Sequence, residues 1–392
     1  MTERVYLDWN ATAPLRPQVR EAMAAAFDCF GNPSSIHGEG RAARHVVEDA
    51  RAAVAALVGA RPADVVFTSG GTEANELALS PRTTADGRAC DRLLMSAVEH
   101  PSVLTGGRFD AQDQELIPVD GNGVVDLPAL QHRLRELSAK GIRPLVSVMV
   151  ANNETGVLQP VSEIAALVHD AGGLLHADAV QAAGKIPLDI NVLQADLLVI
   201  SAHKIGGPKG IGALIRRSDA VHPDALIRGG GQERGLRGGT ENVIGIAGFG
   251  AAAKAAHAAL DHERSGMTEL RDHAEAGLRV INPDVAIFGE AVPRLPNTTL
   301  FAVPGIKAET AVIGLDLDGV AVSSGSACSS GKVQPSHVLA AMGVAPDLVR
   351  GQVRVSLGAA TTKADIDRFL EAWRRLSRSL LKTQQVQPGI AA

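Results

Sequence analysis

The chain has 392 residues, of which 45% are hydrophobic and 21% charged, and its formal net charge is −5. This composition is typical of a globular protein with one large core and room for a second. No basic stripe, no run of about 18 apolar residues and no apolar N-terminal core is present, so we expect no nucleic-acid partner, no membrane and no signal peptide. The cysteines Cys29, Cys90 and Cys328 lie far apart, which is typical of reduced thiols in a cytoplasmic protein.

In chain order, short apolar runs alternate with helix-like segments through the middle of the sequence. This alternation predicts an α/β fold with a largely parallel sheet. Amphipathic or Ala-rich segments predict helices over Gly40–Val58, Pro128–Ala139 and Ser162–Ala171. Seven apolar runs are predicted strands: Asp64–Ser69, Arg92–Ala97, Glu115–Val119, Pro144–Val150, Leu174–Ala177, Asp196–Ser201 and Gly212–Arg216.

The pattern of the sequence changes after about Gly250. Ala251–Val280 predicts one or two helices, whereas Thr298–Phe301 and Gln352–Leu357 predict shorter strands. Apolar residues at helical spacing predict a closing helix over Asp365–Leu381. We therefore place the boundary between a large domain and a smaller one near Gly250.

Five predicted strands are followed at once by polar residues. Because ligands of open α/β sheets bind at the carboxyl ends of the strands, these residues predict one small-molecule site. The clusters are Gly70-Gly71-Thr72-Glu73, Glu99-His100, Asn152-Asn153-Glu154, Asp178 with Gln181, and His203-Lys204.

Lys204 lies between an apolar strand and a Gly-rich loop, where partial desolvation favours the neutral amine that forms a Schiff base. The alternative is a solvated loop lysine. Asp178 closes another apolar strand, where a carboxylate is costly unless it is paired. A protonated pyridine nitrogen is one candidate partner, and a helix N-cap is the alternative role for Asp178.

Ser69-Gly70-Gly71-Thr72 is a strand-to-helix turn whose backbone N–H groups suit a phosphate, although most such turns bind nothing. Ser201 and His203 are candidates to complete the phosphate site. His100 is a candidate for stacking on a planar ring or for proton transfer, or else a structural hydrogen-bonding residue.

Cys328 lies in a run of small residues, Ser323 to Gly331, which predicts an exposed loop. A thiol in such a loop suits a nucleophile that visits a site and leaves it, and an incidental surface cysteine is the alternative. Arg354 lies in a predicted strand with apolar neighbours. Its guanidinium suits capture of a substrate carboxylate, with a structural ion pair as the alternative.

Together these motifs resemble the cysteine desulfurases of the NifS and IscS type, within the class V aminotransferases, over nearly the whole chain. The shared motifs include Tyr6-Leu7-Asp8, Asn10-Ala11-Thr12, Gly31-Asn32-Pro33-Ser34-Ser35, Phe67 to Glu73, Glu99-His100, Asn152 to Gly156, His176 to Gln181, Ser201 to Lys204, Gly229 to Arg234, Ser323 to Cys328 and Arg354 to Gly358.

The resemblance implies fold type I of the pyridoxal-phosphate-dependent transferases. A large domain over residues 15–250 would hold a seven-stranded, mostly parallel sheet. A smaller α/β domain would comprise residues 1–14 and 251–392, with a long cysteine loop at about 323–335.

The resemblance also implies site roles. Lys204 would bind pyridoxal phosphate covalently and then move protons, Asp178 would pair with the pyridinium nitrogen, and His100 would stack on the ring and assist proton transfer. Gln181 and Asn153 would lie near the ring hydroxyl, and Asn32, Asn153 and Arg354 would hold the substrate. The phosphate would be surrounded by Gly71, Thr72, Ser201, Ala202, His203 and, from the other subunit of a homodimer, Thr240.

The implied reaction converts L-cysteine to L-alanine and leaves the sulfur on Cys328 as a persulfide. The expected partner is a sulfur acceptor or scaffold protein for iron–sulfur cluster assembly, with which Cys328 would share a cluster as a metal ligand. The tail after Leu381 is shorter than that of the IscS type, which favours a NifS-like member. The alternatives are another enzyme of this fold, such as an aminotransferase or selenocysteine lyase, and a non-catalytic assembly protein.

Overall fold

A computed structural model describes residues 4–85, 87–325 and 335–385. Within these ranges the strands are β1 (Val5–Tyr6), β2 (Val65–Thr68), β3 (Thr84–Ala85), β4 (Arg92–Ser96), β5 (Gln114–Ile117), β6 (Pro144–Met149), β7 (Leu174–Asp178), β8 (Leu197–Ser201), β9 (Gly212–Arg216), β10 (Val221–His222), β11 (Ala286–Ile287), β12 (Thr298–Ala302), β13 (Val320–Ala321) and β14 (Val353–Ser356).

The α-helices of the same ranges are α1 (Pro17–Phe27), α2 (Gly38–Leu57), α3 (Gly71–Ala78), α4 (Pro101–Leu104), α5 (Leu127–Ala139), α6 (Val161–Asp170), α7 (Ile190–Leu193), α8 (Val243–Ile281), α9 (Ala308–Leu317), α10 (His337–Ala341), α11 (Pro346–Arg350) and α12 (Lys363–Gln385). Short 3-10 turns occur at Pro62–Asp64, Ala111–Asp113, Ala202–Lys204 and Gln232–Gly235.

The central sheet has seven strands in the order β2-β9-β8-β7-β6-β4-β5. The five strands from β8 to β5 are parallel, whereas β9 is antiparallel to both of its neighbours. All seven strands predicted from the sequence are in this sheet, which confirms the predicted α/β fold. The parallel strands end on the same edge, so the polar residues that follow them meet there.

Helix α8 is one continuous helix of 39 residues, starting well before the predicted Ala251. It begins at Val243 because the Asn242 side chain accepts a hydrogen bond from the backbone N–H of Gly245 at 3.0 Å. By length and composition it could cross a membrane. However, Phe249 and Ala253 of its apolar half are fully buried in the protein core, so this half of α8 is a core helix.

Two main hydrophobic cores share α8. The first covers one face of the central sheet and includes Val146, Leu198 and Phe249. The second lies between the C-terminal half of α8, the sheet β11-β12-β14 and the helices α9 and α12, and includes Phe301 and Trp373. The rings of Phe301 and Trp373 meet edge to face with their centroids 5.0 Å apart. The division into two domains at a particular residue stays a prediction.

The N-terminal segment joins the two cores. Strand β1 pairs in parallel with β13 beside the second core. The chain then passes to the edge of the central sheet, where Ala13 donates a backbone hydrogen bond to the carbonyl of His203 at 2.8 Å. This path brings residues 8–13 against the carboxyl ends of the parallel strands.

Candidate active site

A cavity of about 380 Å³ lies at the carboxyl ends of the parallel strands. Its walls come from the turns after β4, β6, β7 and β8, the start of α3, and β14. Ten of the residues predicted from the sequence line it: Gly71, Thr72, His100, Asn153, Asp178, Gln181, Ser201, His203, Lys204 and Arg354. The structure therefore brings these ten residues together in one crevice, as the sequence predicted.

Asp178 forms the acidic side of the cavity, and its residue is 5% exposed. One carboxylate oxygen accepts from the backbone N–H of Val180 at 2.9 Å, and the other accepts from Nδ2 of Asn75 at 3.0 Å. Within the described ranges no cation forms an ion pair with Asp178. A buried carboxylate of this kind suits a ligand that brings a positively charged N–H group.

His100 caps α4, because its Nδ1 accepts from the backbone N–H of Ser102 at 3.1 Å. The proton of the neutral ring is therefore on Nε2. Burial lowers the pKa of His100, and the positive charge of Lys204 lowers it further, while Asp178 acts in the opposite direction. The ring is thus an uncharged, planar group at neutral pH, suited to stack on another ring or to donate a proton from Nε2.

Lys204 closes the 3-10 turn that follows β8. Its amine donates to the backbone carbonyls of Asn10 and Ala11 at 2.5 and 2.8 Å. The neighbouring His203 has its pKa lowered to about 4, by burial and then by the charges of Lys204 and Lys209. At neutral pH the His203 ring is uncharged and can donate a single hydrogen bond to an anion.

The start of α3 forms a cradle of backbone N–H groups beside β8. A Cβ atom added to Gly71 would lie 3.1 Å from Val180 Cγ2 and 3.6 Å from Ser201 Cβ, so a side chain at Gly71 would crowd this wall. A Cβ on Gly212 would lie 2.6 Å from the Gly70 carbonyl carbon. Glycines at these positions therefore allow β9 and the turn to pack closely. The helix N-terminus, Thr72 and Ser201 together suit a phosphate.

Arg354 crosses from β14 to the cavity and is buried. Its guanidinium donates to the carbonyl of Asn153 at 2.9 Å and to the Asp8 carboxylate at 2.8 Å. Its Nε is buried without a hydrogen-bond partner. The two bonds to Asn153 and Asp8 use two of the five N–H groups of this fixed guanidinium, so donors remain for a carboxylate in the cavity that Arg354 lines.

Comparison with known proteins decides the family. Residues 5–369 match the Aminotransferase class-V family. The chain belongs to the class V aminotransferase family.

Within this family, the chain is similar to cysteine desulfurases. It is 42% identical over 385 residues to the cysteine desulfurase IscS of Dictyoglomus turgidum, with 97% of this chain and 96% of that protein covered. It is 44% identical over 376 residues to a cysteine desulfurase of Cereibacter sphaeroides, with 94% of each covered. A NifS-like protein from Rickettsia africae superposes with a TM-score of 0.87 at 37% identity, covering 96% of this chain and 100% of that one. The resemblance to this group is thus confirmed.

Three of the predicted residues that the structure describes do not line the cavity. Ala202 is buried beside it, and its backbone N–H donates to Ile211 at 3.2 Å. Asn32 is exposed, and its side chain accepts from the backbone N–H of Ser34 at 2.9 Å. Thr240 is exposed at a separate depression beside Ser69. Cys328 lies outside the described residues.

Several residues of the site were not singled out from the sequence. Asn10, Asn75 and Ser102 line the cavity, and Lys185 is hydrogen-bonded to Asn10 behind it. Asn75 lies one turn into α3, and its carboxamide restrains Asp178. Polar side chains inside apolar helical segments are a signal that could have identified Asn75, because such side chains need a buried partner.

Glu99 lies behind His100 as a second buried carboxyl group. Its Oε1 accepts from the backbone N–H of Met149 at 2.6 Å, and its Oε2 has no hydrogen-bond partner. Burial raises the pKa of Glu99 well above its ordinary value, and the nearby Asp178 raises it further. Burial at this position therefore favours the neutral acid form of Glu99. Within the described ranges no three His, Cys, Asp or Glu side chains form a group suited to a metal ion.

Proposed function

We propose that this chain is a pyridoxal-phosphate-dependent cysteine desulfurase, which converts L-cysteine to L-alanine and takes the sulfur onto Cys328. The observation that carries the proposal is that Lys204 and Asp178 both line one cavity, and that Asp178 has no cation as an ion-pair partner among the described residues. The two residues lie in a chain that is more than 40% identical to cysteine desulfurases over most of its length.

The residues of the cavity fit pyridoxal phosphate. Asp178, without a cation among the described residues, would accept the N–H of the protonated pyridine ring. The N-terminus of α3 with Thr72, Ser201 and the neutral His203 would hold the phosphate, and the uncharged ring of His100 would lie against the pyridine. Lys204 would supply the primary amine that holds the aldehyde of the cofactor.

When bound, pyridoxal phosphate supplies an electron sink that stabilises negative charge at the α-carbon of an amino acid. The residues of the chain then have distinct tasks. Arg354, whose guanidinium lines the cavity, would bind the carboxylate of the substrate, together with Asn153. The amine of Lys204 would remove and return protons at the substrate, and His100 would assist from its Nε2.

Sulfur transfer would take place between two thiols, that of the cysteine substrate and that of Cys328. The Cys328 thiolate attacks the sulfur of the substrate, the bond between that sulfur and the β-carbon breaks, and the electron pair remains on carbon. A proton then reaches that carbon, so that L-alanine leaves. The products are alanine and a Cys328 persulfide, with no outside oxidant or reductant.

The remaining partners belong to the same proposal. We infer a homodimer in which Thr240 reaches the phosphate of the other subunit, because Thr240 is exposed and does not line the cavity of its own chain. Asn32 would complete the substrate site. A protein of iron–sulfur cluster assembly would accept the sulfur from Cys328 in the cytoplasm, and Cys328 would be a shared cluster ligand there. We expect no nucleic-acid or membrane partner for this chain.

The sulfur step is tested with C328S, using C29S as the matched control. Cys29 is a partly exposed thiol on the same chain and has no role in the proposal. With cysteine and a reducing thiol, C328S should lose nearly all sulfide and alanine formation but keep the visible absorbance of the cofactor. C29S should behave like the wild type. Unimpaired desulfuration by C328S would contradict the mechanism.

A further inference from the structure

Asn10 is a buried residue at which four side chains meet, those of Lys204, Gln181, Lys185 and Asn297. Its backbone carbonyl accepts from the amine of Lys204 at 2.5 Å and from Nε2 of Gln181 at 3.0 Å. Its side-chain Oδ1 accepts from the amine of Lys185 at 3.0 Å and from Nδ2 of Asn297 at 3.1 Å. The position of the Lys204 amine therefore depends on what holds the Asn10 peptide.

Lys185 is a second lysine, 6% exposed, that lies behind the cavity. Its amine donates to Asn10 Oδ1 at 3.0 Å and to Gln181 Oε1 at 2.7 Å. Burial lowers the pKa of Lys185 well below its ordinary value, and the charges of Lys204 and Arg354 lower it further. The amine uses one N–H group on each of these two buried acceptors.

These two bonds orient both partners of Lys185. Because Gln181 presents Oε1 to Lys185, its Nε2 faces the carbonyl of Asn10. Because Asn10 presents Oδ1 to Lys185, its Nδ2 donates to Thr298 Oγ1 at 2.9 Å. Without Lys185, the Gln181 carboxamide would lose the partner that fixes its orientation. Asn10 would lose the hydrogen bond between its Oδ1 and Lys185.

We propose that Lys185 is a positioning residue for Lys204, which acts by holding the Asn10 peptide that receives the Lys204 amine. The inference rests on the proposed function only in assuming that Lys204 binds the cofactor. It adds that the geometry of the reactive amine is set by a lysine that does not itself line the cavity.

A merely structural role makes a different prediction. Lys185 also borders a second cavity of about 290 Å³, together with Trp9 and Met267, so its side chain fills space between the two cores. If Lys185 acted only by packing, its replacement would lower stability and weaken cofactor binding in proportion. It would not change the rate of bond formation at Lys204 once the cofactor is bound.

The experiment follows bond formation between Lys204 and pyridoxal phosphate in the full-length apoprotein, without cysteine. In this step the amine nitrogen bonds to the aldehyde carbon and one water leaves. The bond is trapped with borohydride at successive times, and the Lys204 peptide is quantified by mass spectrometry over a range of cofactor concentrations. The variants are K185M, K185Q and, as the matched control, K254M, which replaces an exposed lysine on α8.

For K185M we expect a limiting rate about 10- to 100-fold below that of the wild type, because a displaced reactive group loses its alignment. The cofactor concentration that gives half of this rate should stay near the wild-type value, since the phosphate site is unchanged. K185Q retains a hydrogen-bond donor for one of the two acceptors, so its limiting rate should lie between those of K185M and the wild type. K254M should match the wild type.

A limiting rate for both K185M and K185Q equal to that of K254M would overturn the inference. So would a rise in the half-saturating concentration with no fall in limiting rate. The outcome is separable from the sulfur mechanism, because no sulfur is transferred: desulfuration that survives C328S refutes the proposed function and leaves this result intact. Failure of the wild type to form any bond at Lys204 would overturn both proposals.

Discussion

Asp178 is the residue whose surroundings say most about the ligand. Its carboxylate is buried and accepts two hydrogen bonds, from Val180 and Asn75, but no cation pairs with it within the described ranges. Burial of a charge without a paired charge is costly. The apoprotein therefore bears a cost at Asp178 that a cationic pyridine ring would remove.

For D178N we expect a more stable apoprotein and a weakened cofactor site. The buried charge is removed, and a rotation of the Asn75 carboxamide would let its unpartnered Oδ1 accept from the new amide. The free energy of unfolding of the apoprotein should rise by about 1–3 kcal/mol, measured by urea denaturation. D284N, the same substitution at an exposed position, is the matched control for loss of a surface charge. An apoprotein of D178N that is clearly less stable than the wild type would contradict this account.

The same residue scale shows the limits of sequence reasoning. Lys204, Asp178 and His100 could be predicted because each directly follows an apolar strand. Asn10 and Lys185 could not, since their roles depend on contacts between segments 175 residues apart. Asn32 and Thr240 were expected near the ligand from the family resemblance alone, and a single chain does not bring them to the cavity.

At the scale of elements, the strands were easier to predict than the helix ends. Six of the seven strands of the central sheet are almost entirely buried and are therefore continuous apolar runs, which made them identifiable. The exception is β5 at the edge of the sheet, where Leu116 is exposed. The start of α8 depends on the Asn242 cap, and the apolar residues before Gly250 resemble a loop because glycines interrupt them. Those glycines have a packing role: a Cβ on Gly250 would lie 2.5 Å from Ala50 Cα in α2.

We predict opposite effects for two glycine substitutions on α8. G250A should destabilise the protein by about 1–3 kcal/mol, because α2 and α8 would have to move apart. G266A, where a Cβ would meet nothing within 4 Å, should stabilise it by up to about 1 kcal/mol through helix propensity. Thermal and urea unfolding of the two variants would measure this. Equal effects at both positions would show that close packing of α2 and α8 is unimportant.

At the scale of the whole molecule, buried titratable groups determine how stability depends on pH. His176 is fully buried, with Nδ1 at 2.8 Å from Ser147 Oγ and Nε2 without a partner. Burial lowers its pKa from 6.5 to about 4. Between these values the unfolded chain binds a proton at His176 and the folded chain does not, so stability falls as the pH falls. The raised pKa of Glu99 acts in the opposite direction.

Comparison with H176N isolates the histidine from Glu99, since an Asn Oδ1 can replace Nδ1 toward Ser147. Between pH 7 and pH 4 the wild type should lose about 3 kcal/mol more unfolding free energy than H176N. H222N, which replaces an exposed histidine, should follow the wild type. Parallel pH profiles for the wild type and H176N would show that His176 is not held neutral by burial.

At the scale of the whole molecule, the two cores contribute different residues to the cavity. The central sheet supplies Lys204, Asp178 and His100, whereas the second core supplies Arg354 through β14. The N-terminal segment connects them, because Asn10 bonds to Lys185 on one side and to Thr298 on the other. The sequence predicts two cores, but their junction at Asn10 emerges only from the fold.

The most direct test of the central claim is the mass of the Cys328 peptide after a single turnover. The cofactor-loaded protein is mixed with one equivalent of ³⁴S-labelled cysteine without added thiol, alkylated and digested. We predict one labelled sulfur on the Cys328 peptide, none on the Cys29 or Cys90 peptides, and one alanine released per labelled site. Alanine released in the same amount with no label on Cys328 would contradict the account.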